Sequence, residues 1–189
     1  MSNHSNSIFT FGETAYRIGL QIKKEDPRNA LVFSFMHPKD NFDGQCFSTL
    51  SDDDFDVAFG NCLEQNERPS SWFVRVWQWL TRHPQEAMRK IVIVAGLGGC
   101  YSSYYAPRAA QTAHRRGYQV TAIVQLPFKF EGQKRRQRAE EALRLLQKYS
   151  DKQVVLDHSV LSQKFKDLNA NDYFNKVDDF TIEAVMNQW

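Results

Sequence analysis

The stretch that most restricts the fold is Ala95-Gly-Leu-Gly-Gly-Cys-Tyr-Ser-Ser-Tyr-Tyr-Ala-Pro107. The apolar run Lys90–Ala95 (KIVIVA) leads straight into glycines at 96, 98 and 99, and Pro107 is expected to open the helix that follows. A continuous apolar run bounded by turn residues reads as a strand covered on both faces. Strand, glycine turn and helix start together suit a phosphate group. Glycine lets the backbone come close, and the free N–H groups and dipole of a helix N-terminus favour an anion. An ordinary strand-to-helix turn that binds nothing satisfies the same pattern.

The rest of the chain repeats this alternation. Ile8–Phe11 reads as a short strand, followed by Gly12 and a helix from about Thr14 to Lys24 with Ala15, Ile18 and Ile22 on its apolar face. Ala30–Met36 and Tyr118–Leu126 read as buried strands. A helix from about Gly132 to Tyr149, with Ala139, Ala142, Leu143 and Leu146 inward, leads to a strand at Val154–Leu156. Crossovers of this length give parallel strands and right-handed connections. The expected architecture is therefore α/β: a three-layer, Rossmann-like, mostly parallel sheet with helices on both faces. Residues 1–7 read as a disordered tail and residues 8–189 as one domain.

Two further helices are predicted. Asp52-Asp53-Asp54 after Ser51 is the acidic first turn of one running towards Leu63. Ser70-Ser71 caps another, whose stripe of Trp72, Phe73, Val76, Trp77 and Leu80 reads as core, or as a partner surface. Three cysteines without a CxxC suggest reduced thiols and a cytoplasmic protein, and no apolar run approaches membrane-spanning length. The five histidines show no metal-ligand spacing, so no metal site is expected. Asp157-His158-Ser159 are sequence neighbours and not a catalytic triad. A net charge of +2 disfavours nucleic-acid binding through Lys134–Arg138.

After the second long strand comes Pro127-Phe-Lys-Phe-Glu-Gly-Gln-Lys-Arg-Arg136. Together with AGLGG and Ala106-Pro107, this segment resembles the FtsZ/tubulin-like GTPase family. In FtsZ a strand ending AGMGGGTGTGAAP is followed at the same distance by PF-x-FEG-x-x-R. The match continues through Ala139-Glu140, Leu146, Asp151 and Val154–Leu156. Phe174-Asn-Lys-Val-Asp-Asp179 with Ala184-Val185 resembles the start of the family's central helix, AF-x-x-ADD…AV.

The resemblance implies the family's nucleotide-binding domain, with GTP or GDP and Mg2+ as ligands. It assigns Gly12, Gly98, Gly99, Cys100, Tyr101, Ser102 and Ser103 to phosphate, Glu131 and Arg135 to ribose, and Phe174 and Asp179 to guanine. Without it, Glu131 and Arg135 read as an i,i+4 ion pair on a solvated face, and Phe174 and Asp179 as parts of an amphipathic helix. Several positions depart from the family. Phe11-Gly-Glu-Thr-Ala15 replaces a run of glycines, and Glu13 repels a triphosphate. Ser102 and Tyr104 stand where the family has glycine, and Tyr101 where it has threonine. The phosphate loop is thus degenerate, either reshaped or closed, and the orientation of Tyr101 and Tyr104 decides which.

The chain is also expected to end within the central helix, before the family's acidic catalytic loop and second domain. The implied function is a divergent guanine-nucleotide-binding protein of the cell-division type, without self-sufficient hydrolysis or catalytic residues of its own. It would act through filament-like contacts with itself or with an FtsZ-like protein. The alternative is a pseudo-GTPase interaction module that docks to a genuine FtsZ and binds no nucleotide.

Overall fold

In the computed structural model, residues 6–26, 30–36, 46–48, 51–67 and 89–188 are described. The apolar runs form six strands: β1 (Asn6–Phe11), β2 (Ala30–Met36), β3 (Cys46–Ser48), β4 (Lys90–Gly96), β5 (Gln119–Leu126) and β6 (Lys152–Asp157). All pair in parallel, in the order β3-β2-β1-β4-β5-β6. The expected three-layer architecture is therefore what the chain adopts. The predicted tryptophan-bearing helix after Ser70 lies outside the described residues.

The helices are α1 (Glu13–Glu25), α2 (Asp52–Glu67), α3 (Cys100–Arg115), α4 (Gln133–Tyr149), α5 (His158–Lys164) and α6 (Ala170–Met186), with a 3-10 turn at Lys129–Glu131. Successive strand residues face opposite ways, so each strand feeds two cores. Ile8, Val32, Val92, Val94 and Ile123 meet Ala15, Ile18 and Ile22 of α1 and Ile182 and Val185 of α6. Phe9, Phe33, Phe35, Ile93, Ala122 and Val124 face α2, α3 and α4. On that side Phe9 and Phe33, paired across β1 and β2, stack at 5.2 Å, and Phe35 meets Phe55 edge-on at 5.3 Å. Such pairs add about 0.5–1.5 kcal/mol each beyond the area they bury.

The alanine face of α3 (Ala106, Ala109, Ala110, Ala113) is fully buried, which lets the helix lie close to the sheet. Two expectations fail. Asn6 and Ser7, read as part of the tail, are the first residues of β1, where Ser7 is buried and pairs with Leu31 and Ile91. Helix α3 begins at Cys100, not at Pro107, and Pro107 sits inside it. Gly99, extended at φ −70° and ψ 150°, is its N-cap. The Cys100–Ala106 segment is helical because it has a face to bury: Ser102, Ser103 and Ala106 turn inward, and Tyr105 packs on Phe55 at 4.6 Å. That packing outweighs the missing N–H of Pro107.

Candidate functional site

The strand order changes direction between β1 and β4, whose neighbours on the outer sides are β2 and β5. In an open parallel sheet this switch point leaves a crevice at the carboxyl ends of the strands. Here it opens beside Gly12, after β1, and the Gly96–Gly99 turn, after β4. A cleft of about 420 Å³ lies at this end, lined in part by Thr14 and Arg17 of α1, Gly96 and Leu97, and Gln125 at the end of β5. Its other wall carries Phe128, Glu131, Arg135, His158 and Phe174. The volume falls in the range of small-molecule sites.

The ribose candidates come together. Glu131 accepts the Phe128 N–H through Oε1 at 2.7 Å and pairs with Arg135 through Oε2 at 3.1 Å. Arg135 lies across Gly98, where an added Cβ would sit 2.9 Å from Arg135 Cγ and 3.1 Å from Pro127 Cγ. Gly98 also has φ +103°, a conformation that favours glycine. Its N–H donates to Ser103 Oγ at 2.8 Å, and its carbonyl accepts from Arg138 at 2.9 Å. Arg136 anchors the same wall from behind. It donates to both carboxylate oxygens of Asp157 at 3.1 and 2.7 Å and to the Pro127 carbonyl at 3.0 Å. Burial works to raise the Asp157 pKa, but these hydrogen bonds and the Arg136 charge outweigh it and hold the carboxyl below its usual range.

The phosphate candidates lie next to the cleft at the start of α3 and α1. Gly12 caps α1 at φ +87°. Its missing side chain faces Ser102, whose Cβ would lie 3.5 Å from a Cβ there. Ser102 Oγ is within 3.3 Å of the corresponding position at Gly99 and donates to the Gly96 carbonyl at 2.5 Å. Both serines are buried, so their hydroxyls serve the turn itself. Cys100 is exposed at the first helical position.

Neither tyrosine lines the cleft. Tyr101 lies tilted against Tyr105 at 4.6 Å and is half-buried against the core. Tyr104 donates to Asp52 of α2 at 2.8 Å, and Arg108 bridges Asp52 at 2.8 Å and Asp56 at 2.6 Å. Tyr104 and Arg108 fasten α3 to α2, and both tyrosines leave the cleft open.

At the base end, Phe174 borders the cleft, 44% exposed, with its ring edge-on to those of His158 at 5.9 Å and Phe128 at 6.4 Å. Asp179 is exposed, and neither it nor Asp178 is part of the cleft lining. Its neighbour Asp178 stands four residues after Phe174, on the same face of α6. It is half-buried and accepts a hydrogen bond from Gln125, whose side chain also donates to Thr181 at 3.0 Å. Burial raises the Asp178 pKa, only partly opposed by the charge of Arg17 and the Gln125 hydrogen bond. His158, which the motif matching left unused, packs beneath the cleft. It stacks on Phe128 at 4.9 Å, and burial lowers its pKa. Its place at the carboxyl end of β6 was the available signal. Among the described residues no group of three or more His, Cys, Asp or Glu is placed to hold a metal, and no helix is long and apolar enough to cross a membrane.

Residues 81–166 match the model of the Tubulin/FtsZ family, GTPase domain. Cell division protein FtsZ of Helicobacter pylori is 36% identical over 97 residues, covering 50% of this chain and 25% of that protein. FtsZ 1 of Pyrococcus furiosus is 33% identical over 104 residues, 55% of this chain and 28% of that protein. The matched segment thus spans about a quarter of these relatives' length. Among solved structures, an empty FtsZ dimer from M. jannaschii superposes with a TM-score of 0.67 at 18% identity, over 96% of this chain and 53% of that one. The GDP-bound monomer of CetZ1 from Haloferax volcanii gives 0.62 at 13%, over 94% and 58%. The chain resembles the FtsZ/tubulin GTPase family in sequence over its second half, and it has the fold of the family's nucleotide-binding domain.

Proposed function

We propose that the cleft binds the nucleoside end of GTP or GDP, making this a divergent FtsZ-like guanine-nucleotide-binding protein. The observation that carries the reading is the direction of Tyr101 and Tyr104. Tyr104 is bound to Asp52 of α2 and Tyr101 packs on Tyr105, so neither ring enters the cleft between Phe174, Glu131 and Arg135. Phe174 offers a ring face to the base, and the Glu131–Arg135 pair offers a carboxylate acceptor and guanidinium donors to the ribose hydroxyls. Asp178 supplies the carboxylate for guanine N1–H and N2–H2, with the more exposed Asp179 one residue further round the helix. An acid is the side chain that accepts from both donors, and adenine lacks this donor edge.

From the ribose, the phosphates run along Gly96–Leu97 towards Gly99 and the N-terminus of α3, whose first-turn N–H groups and dipole attract them. That end is the weaker half of the site. Ser102 occupies the space between Gly12 and Gly99, and the Gly98 N–H is already bound to Ser103. Glu13 adds a negative charge in the first turn of α1. Mg2+ enters with the phosphate oxygens, since the described residues offer it no cluster of their own. As in the family, the bound nucleotide would act through contacts with further copies of the chain or with an FtsZ-like protein in the cytoplasm.

The Ser102 hydroxyl bound to the Gly96 carbonyl and the Gly98 N–H bound to Ser103 also favour a second reading, in which the phosphate site is closed and the domain is a nucleotide-free docking module. Calorimetric titration with guanosine, GDP, GTP and ATP at millimolar Mg2+ separates the two. The first reading expects heat with the guanine ligands and none with ATP. Heat with none of them, from folded protein, leaves the docking module.

A further inference from the structure

We propose that His158 reads the edge of the bound base as a hydrogen-bond acceptor through Nε2, in a ring tautomer imposed by Tyr173. This rests on the nucleotide reading above and adds to it a specificity-determining residue that the sequence motifs did not assign.

The argument starts with the single proton of the Tyr173 phenol. Its oxygen lies 2.9 Å from His158 Nδ1 and 3.2 Å from the His158 carbonyl oxygen. A carbonyl only accepts, so the phenol proton goes to it, and the phenol oxygen is left as an acceptor. Both contacts are then favourable only when Nδ1 carries the ring proton and donates to Tyr173. The neutral ring therefore has a bare lone pair on Nε2.

Position supplies the second half. Tyr173 is buried and is not part of the cleft wall, whereas His158 is. The edge of the ring turned from Tyr173 is thus the edge left for the cleft. Among the described residues no group is hydrogen-bonded to Nε2, and Nε2 is not one of the buried polar atoms left without a partner. The ring is held flat by its stack on Phe128 and by the edge of Phe174, so the lone pair has a fixed direction. Asp178, one helical turn beyond Phe174 and hydrogen-bonded to the cleft residue Gln125, sets a second acceptor beside the cleft, suited to a base whose edge carries N–H donors.

Protonation inverts this role, because imidazolium donates from both nitrogens. The charged groups around the ring are Glu131 in the 3-10 turn, paired with Arg135, and Asp157 at the end of β6, paired with Arg136 and near Lys129. Tyr173 faces it from α6, its own pKa pushed up to about 12 by burial. Burial of the ring outweighs the two carboxylates, so His158 is neutral at pH 7 and becomes a donor only in acid.

Two measurements decide the matter. Nitrogen-15 NMR of the ligand-free protein, with the His158 signal assigned by its loss in His158→Gln, should show a protonated Nδ1 and a bare Nε2. Tyr173→Phe should shift the ring towards the Nε2–H form. A wild-type ring already protonated at Nε2 overturns the inference, whatever the nucleotide does. The second is the GDP dissociation constant of wild type and His158→Gln from pH 8 to pH 5. The glutamine amide oxygen reaches the place of Nε2 and does not titrate. Whatever the ratio of wild type to variant at pH 8, it should rise about tenfold per pH unit below the histidine's own titration. Parallel profiles would overturn the role of His158 while leaving the guanine site standing. No GDP binding by wild type at any pH would overturn both.

Discussion

At the scale of single residues, the acid of α6 shows how one step round a helix separates two roles. Motif matching points to Asp179, whereas Asp178 shares the helix face of Phe174, because four residues bring a helix back to the same face and five do not. That spacing is legible in the sequence, and the adjacent pair of identical acids leaves both as candidates. Asp178→Asn should weaken GDP binding about 10- to 100-fold, the range for a lost charged hydrogen bond, and reduce the preference over ADP, both by calorimetry. Its effect on stability should have the opposite sign. The Asp178 pKa is raised in the fold, so the native state holds its proton more tightly than the unfolded chain does. Stability from this group is therefore greatest in acid and is lost as pH rises through the raised pKa. Replacing the acid by a neutral amide should raise the melting temperature at pH 7 and change it little at pH 3. Gly98 behaves differently, since its role was legible only as part of a glycine-rich turn. The structure adds a positive φ and the side chains of Arg135 and Pro127 against it. Gly98→Ala should cost about 1–3 kcal/mol in urea unfolding, and the matched Gly96→Ala less, because Gly96 meets only Thr14 at 3.8 Å.

At the scale of elements, strands were the easiest to read and the onset of α3 the hardest. Apolar runs such as Lys90–Ala95 have one use in a chain of this composition, and α1 shows its buried face at helical spacing. Helix α3 was placed too late because proline favours a first turn and the tyrosine- and serine-rich segment before Pro107 resembles a loop. Its tyrosines instead bury against Phe55 and pair with Asp52, contacts far apart in sequence that no local pattern reveals. The consequence for function is specific. If the phosphate end is narrowed by the first turn of α3, the residue responsible is Ser102 and not the bulkier tyrosines. Ser102→Gly should tighten GTP more than guanosine, read as a several-fold drop in the GTP dissociation constant alone. Tyr104→Phe, which removes the hydroxyl bound to Asp52, should leave GTP affinity unchanged. A gain from the tyrosine variant and none from Ser102→Gly would place the obstruction elsewhere.

At the scale of the whole molecule, the cleft lies where the two halves of the sheet diverge. One wall belongs to α1, which follows β1; the other is built from the β5–α4 connection, the start of α5 and α6. Gln125 ties α6 to the floor through Thr181 and Asp178, and α6 shares its core with α1. A ligand seated there touches elements from both ends of the chain and so favours the folded state as a unit. If GDP binds only the native chain, a concentration one hundred times its dissociation constant should add about 2.7 kcal/mol to the unfolding free energy. For a domain of this size that is a rise of roughly 5–10 °C in melting temperature. Amide exchange should slow most at the Gly96–Ser103 turn and along the first turns of α6, where the site is made. An equal rise with ADP would mean that the phosphates and not the base hold the ligand. That result would move the centre of the site from α6 to the start of α3.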